Sequence, residues 1–116
     1  LLEDEALIAM DVEQLCLDCG ASDVVTARTI AQAEGRIDGA DRFDAAIVDM
    51  MLGGMVTTDI ALRLQQQSVP FVFATGYSDS DQLAKRFPGI AVIGKPYVGE
   101  ELIHAVASAA RSNRAA

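Results

Sequence analysis

A doubly wound α/β fold, with five parallel strands and helices on both faces, is what this sequence predicts, and three observations carry the prediction. Apolar runs of strand length alternate five times with stretches of helical spacing, without an internal repeat or linker. Two of the runs, Ala45-Ala46-Ile47-Val48 and Phe71-Val72-Phe73-Ala74, are continuous rather than alternating, as in strands covered on both faces. Polar residues collect just behind the runs, at the strand ends where open parallel sheets hold ligands: Glu3 and Asp4, Asp49, Thr75 and Lys95.

Composition narrows the class. A chain of 116 residues makes one domain, 1–116, able to bury a core without disulfides or a structural metal. Half of it is hydrophobic, which excludes disorder. Lys and Arg number 9 against 17 Asp and Glu, and the net charge of -8 repels nucleic acid and anionic lipid. Protein or cation partners are expected instead. No run reaches the roughly 18 apolar residues of a membrane span, and no charged leader precedes a short apolar core. The expected location is the cytoplasm, and the expected state a monomer or weak dimer. Leu1 already lies inside an apolar pair, so the first strand is expected to lack its opening residues.

Leu1-Leu2 ends that first strand and hands over to Glu3-Asp4-Glu5. Over residues 6–19, Ile8, Val12, Leu15 and Cys19 recur at helical spacing, and Gly20 stops the helix. Leu7, Met10 and Leu17 lie off that stripe, for flank packing or else for a partner, with packing preferred. Cys16 and Cys19 form C-x-x-C at the C-terminal pole of the helix, where nothing stabilises a thiolate, so both are expected to be buried core thiols. A short strand rich in β-branched residues follows at 23–27, then a helix over 29–37 weakened by Gly35. A turn at 39–41 leads to the central strand, 44–49. Gly53-Gly54 breaks the chain, and Thr57, Thr58 and Asp59 offer capping oxygens to a helix running to residue 67.

Pro70 introduces the strand 71–74, which ends in Thr75-Gly76-Tyr77. Ser78, Asp79 and Ser80 cap a short helix reaching 87, closed by Pro88-Gly89. The fifth strand is 90–93, ending at Gly94-Lys95-Pro96, and the last helix is 99–111, with Leu102, Val106 and Ala109 inward. Residues 112–116 are expected to fray.

Three carboxylates on one rim, Glu3, Asp4 and Asp49, repel one another unless a cation compensates them, and a hard divalent ion such as Mg²⁺ suits oxygen donors. An Asp oxygen beside such an ion is a nucleophile toward phosphorus. Lys95 can neutralise a phosphoryl oxygen, and the Thr75 hydroxyl can donate to another.

These residues resemble the receiver domain of two-component response regulators, along essentially the whole chain. Leu1-Leu2-Glu3-Asp4-Glu5 is similar to its acidic opening, Ile47-Val48-Asp49 to its phosphoacceptor strand, Ala74-Thr75-Gly76 to its switch segment and Lys95-Pro96 to its Lys-Pro motif. The string Pro70-Phe71-Val72-Phe73-Ala74-Thr75-Gly76-Tyr77 resembles the narrower "FAT GUY" group of alphaproteobacterial stress signalling.

The resemblance implies a flavodoxin-like (βα)5 fold in three layers, with strand order 2-1-3-4-5. It also implies that Asp49 accepts phosphate from a histidine kinase or phosphotransfer protein. Asp4 and Asp49 would bind Mg²⁺ directly, Glu3 through water, and the Met51 carbonyl would complete the set. Lys95 would pair with the phosphoryl group and Thr75 would move to bond it, altering the face of the fourth helix, fifth strand and last helix that meets a downstream protein. The kinase would dock near the first helix, at Leu7 and Met10.

Three positions depart from the family pattern. Gly53 stands where receivers often have Pro, and Thr57 where many have Gly, so the loop after Asp49 is expected to be mobile. Ile93 replaces the aromatic that usually rotates two residues before the Lys, leaving Tyr77 as the nearest aromatic able to report Thr75.

His104, alone in Glu100-Glu101-Leu102-Ile103-His104, reads as a solvated surface residue rather than a phosphoacceptor. A Mg²⁺-dependent phosphatase with an Asp nucleophile is the main rival, but its haloacid dehalogenase form needs Asp-x-Asp where this chain has Asp49-Met50-Met51. An FMN binder of the same fold needs a phosphate loop where Glu3-Asp4-Glu5 would repel phosphate. The chain leaves no room for an output domain, so a stand-alone regulator or a receiver excised from a larger protein is expected. A phosphorylation-controlled binding module, not an enzyme acting on other substrates, is the resulting expectation.

Overall fold

The computed structural model describes residues 1–39, 42–75, 83, 85–94 and 99–115, without the side chains of 112–115. Helices α1 (Ala6–Asp18), α2 (Ile30–Asp38), α3 (Thr58–Gln66) and α4 (Gly99–Ala115) surround a parallel sheet of β1 (Ala46–Asp49), β4 (Phe71–Thr75) and β5 (Val92–Gly94). Between β1 and α3, β2 (Met51–Leu52) and β3 (Met55–Val56) form a separate antiparallel hairpin. The α/β class and the helices on both faces are as the alternating pattern predicts.

The central strands alternate their side chains between two cores. Val48, Phe71 and Phe73 face a cluster with Ile37 of α2 and Leu64 of α3. Ile47 and Val72 face the other way, against Val12 of α1 and Leu102 of α4, with Ile93 at the margin. Three layers result. All five residues of β4 are buried, which explains its uninterrupted apolar run.

The first two expected strands are barely formed. Leu2 makes single parallel bridges to Ala27 on one side and Val48 on the other, so the expected order 2-1-3 rests there on one residue. Residues 23–27 otherwise lie outside the ladders and are joined to the first segment by the Ala27 N–H donating to the Leu1 carbonyl at 2.8 Å and the Glu3 N–H donating to the Ala27 carbonyl at 3.1 Å. The Leu1 ammonium donates to the Val25 carbonyl at 2.9 Å. Leu1 also lines a cavity of about 650 Å³ together with Cys16, Val24, Ala45, Ile47 and Val106.

Burial of this ammonium pushes its pKa down from 8.0 to about 6, with Cys16 and Glu13 opposing slightly. The unfolded chain therefore binds more protons between pH 6 and 8, and stability rises with pH across that window. The rise should total roughly 2–3 kcal/mol. Two apolar residues added ahead of Leu1 convert the ammonium into a peptide N–H, and should remove that dependence and raise the midpoint. Urea denaturation of both chains at pH 6 and 8 checks this; equal slopes with pH would contradict it.

Other elements differ from expectation in instructive ways. Leu7, Met10 and Leu17 are exposed rather than packed, at 79%, 63% and 43%. Cys19 is exposed at the C-cap of α1, so only Cys16 packs against the core; burial pushes its thiol pKa up, which does not favour a redox pair. The last helix continues to Ala115, beyond the expected end at 111, since Ala and Arg favour helix without needing an inward stripe. Leu83, Lys85 and Arg86 are helical, and the rest of the expected 78–87 helix, like the turn residues 40 and 41, lies outside the described residues. His104 is exposed, as expected.

Candidate functional site

Three chain segments end together at one edge of the sheet. The backbone N–H of Asp49 donates to the Leu2 carbonyl at 3.2 Å, which sets the end of β1 beside Glu3 and Asp4. Carboxylate oxygens of Glu3, Asp4 and Asp49 lie within 4.8 Å of one another. Glu3 is fully buried, Asp49 is 6% exposed and Asp4 half-buried. The sequence places these three on one rim, and the structure brings them together.

Each carboxylate is oriented by a backbone N–H. Glu5 donates to Glu3 Oε2 at 3.2 Å, Gly53 to Asp4 Oδ2 at 3.0 Å and Met51 to Asp49 Oδ1 at 3.3 Å. The Arg28 guanidinium reaches the Asp4 carbonyl oxygen at 3.2 Å, so one positive charge already stands at the margin. Backbone dipoles and a peripheral cation soften the repulsion among the three charges. An all-oxygen set of this size, two of its members buried, fits a hard divalent ion such as Mg²⁺.

Thr75 closes the next strand end. It is 5% exposed, and β1 and β4 pair in the register Asp49↔Ala74, so Thr75 lies one step further toward the rim. β5 pairs Thr75 with Gly94 and Ala74 with Ile93. Ile93 is half-buried against the α1 and α4 core. Lys95 and Tyr77 lie outside the described residues.

The loop after Asp49 holds what sequence reasoning missed. Instead of an open loop, Gly53 and Gly54 form a two-residue hairpin turn, with φ of 59° and 79°. Two successive positive φ angles suit glycine and match the twist of a tight hairpin. Gly-Gly between the apolar pairs Met51-Leu52 and Met55-Val56 carried that signal in the sequence. Thr57, expected to cap α3, makes no side-chain cap bond. Its hydroxyl instead donates toward the Asp49 carbonyl at 2.5 Å and the Met50 carbonyl at 3.1 Å. No local pattern shows that direction.

No family model matches the chain, and no curated protein sequence does. Solved structures do. A response regulator receiver protein from Sinorhizobium medicae WSM419 superposes with a TM-score of 0.86 at 20% identity, covering 97% of this chain and 92% of that one. The REC domain of the PhyR response regulator from Erythrobacter litoralis gives 0.78 at 26% identity, covering 97% and 87%. SdrG from Sphingomonas melonis Fr1 gives 0.72 at 39% identity, covering 91% and 92%. The fold is thus that of response regulator receivers, with the acidic cluster at the carboxyl ends of the strands. At its level of identity with SdrG, the chain belongs to the same family as that protein.

Proposed function

We propose that residues 1–116 form a phosphoacceptor receiver of two-component signalling, of the FAT GUY type, in which Asp49 is the acceptor and Mg²⁺ the cofactor. The observation that carries this reading is the meeting of Asp49 with Glu3 and Asp4 at the rim of a receiver fold. Asp4 and Asp49 would hold the ion directly and Glu3 through water, with the Met51 carbonyl as a further ligand. The ion supplies charge to draw the phosphoryl oxygens toward the carboxylates.

An Asp49 carboxylate oxygen attacks the phosphorus of a donor phosphohistidine on a kinase or phosphotransfer protein. The new O–P bond forms as the P–N bond breaks, and the imidazole keeps the bonding pair. Lys95 pairs with a phosphoryl oxygen, and the Thr75 hydroxyl donates to another. Movement of Thr75 then shifts a pre-existing equilibrium, read through Tyr77 in place of the absent aromatic at Ile93, and changes the face offered to a downstream protein. Self-catalysed transfer and hydrolysis at Asp49 are the only chemistry in this account. No helix among the described residues is long and apolar enough to cross a membrane.

Incubation with acetyl phosphate tests the metal requirement. Phosphate incorporation should require Mg²⁺ and stop on chelation. Incorporation at the same rate in EDTA would overturn the role given to the acidic cluster.

A further inference from the structure

We infer that Thr57 is a positioning residue for the metal seat: its side chain closes the loop whose backbone orients two of the three carboxylates. This rests on the receiver reading of the site and adds a residue that touches neither ion nor phosphate.

Thr57 is fully buried. Its position before α3 invites the explanation of helix capping, but the hydroxyl makes no bond to its own helix. It is turned back to the carbonyls of Asp49 and Met50, at 2.5 and 3.1 Å. A hydroxyl carries a single proton, so the nearer Asp49 carbonyl is its main acceptor. The Thr57 backbone N–H independently donates to the Met50 carbonyl at 2.9 Å. Together these bonds tie the first residue of the segment 50–57 to its last, and to the acceptor strand.

Two N–H groups inside the closed segment do the orienting. Met51 donates to Asp49 Oδ1 and Gly53, at the hairpin turn, to Asp4 Oδ2. Asp4 and Asp49 come from segments far apart in sequence, and the loop is the covalent piece that touches both. Loosening its base lets the hairpin shift and the two carboxylates drift from the spacing that an ion needs. The glycine that many receivers have at this position would leave that bond unmade.

Thr57→Val keeps the shape and removes the donor; Thr57→Ser keeps the donor. Titration of Mg²⁺ into each, followed by amide chemical shifts of Met51 and Gly53, reads the effect directly. Thr57→Val should weaken Mg²⁺ binding about tenfold, as loss of an outer-shell partner does. Thr57→Ser should stay within about threefold of wild type, and saturating Mg²⁺ should restore phosphorylation of Thr57→Val. Should Thr57→Val be too unstable to titrate, Thr57→Ala against Thr57→Ser below both unfolding midpoints gives the same comparison. Equal Mg²⁺ affinity with and without the hydroxyl, even with lowered stability, would overturn the inference. Absence of Mg²⁺ binding by the wild type would instead overturn the receiver reading.

Discussion

Asp49→Asn should accept no phosphoryl group from acetyl phosphate at any Mg²⁺ concentration, while folding as well as the wild type. The substitution keeps the size of the side chain and an oxygen able to accept the Met51 N–H, now 3.3 Å from Asp49 Oδ1. It removes the nucleophile and one of three charges within 4.8 Å. Chemistry is lost outright because an amide oxygen does not form a stable acyl phosphate. Stability should hold or rise, since like charges at this spacing oppose folding. Intact-mass measurement after acetyl phosphate treatment checks the first half and thermal denaturation the second. Phosphate on the variant would move the acceptor elsewhere; a large loss of stability would show that the charge of Asp49 holds the fold together.

Phe73→Ala should be among the most destabilising single substitutions, at about 3–5 kcal/mol. Phe73 is fully buried in β4, between β1 and β5, with its ring edge-to-face on Phe71 at 5.3 Å and on Phe87 at 5.1 Å. Phe71 and Phe87 also meet edge-to-face at 6.2 Å, so removal of Phe73 takes away two of the three contacts in this aromatic cluster and opens a cavity beside the remaining pair. A domain of this size is stable by about 5–15 kcal/mol, so the loss takes a large share. The damage should spread to the site, because Phe73 pairs with Val48 on one side and Val92 on the other, one step below Asp49. Urea denaturation measures the loss, and a cost under about 1.5 kcal/mol would mean that the rings repack into the space.

Burial was legible in the sequence, and direction was not. The continuous runs at Ile47 and Phe71 marked strands covered on both faces, and a polar residue behind each run marked the rim. Those signals need only the hydrophobic pattern, so Glu3, Asp4, Asp49 and Thr75 could be placed before any coordinates. The strand expected at 23–27 is only partly formed: β-branched composition favours extended chain, and the segment meets the first strand at a single parallel bridge between Leu2 and Ala27. Thr57 shows the other limit. Its hydroxyl has the chemistry of a cap, and only packing of α3 against β1 decides that it turns toward Asp49 instead. Helical period directs Cys19 to the core, yet α1 ends one residue earlier and leaves it in solvent. Gly53-Gly54 between two apolar pairs carries the signal of a hairpin turn, and the two positive φ angles give those glycines a defined geometry rather than a mobile loop.

The central claim is that a phosphoryl group on Asp49, held with Mg²⁺ against Glu3 and Asp4, changes the conformation of the domain. Amide chemical-shift mapping of the wild type with beryllofluoride, a stable mimic of the acyl phosphate, tests it most directly. Large shifts are expected only when Mg²⁺ and beryllofluoride are both present, at Asp49, the 50–57 hairpin and Thr75, extending into β5 and α4. An unchanged spectrum, or the same shifts without Mg²⁺ or in Asp49→Asn, would contradict the account.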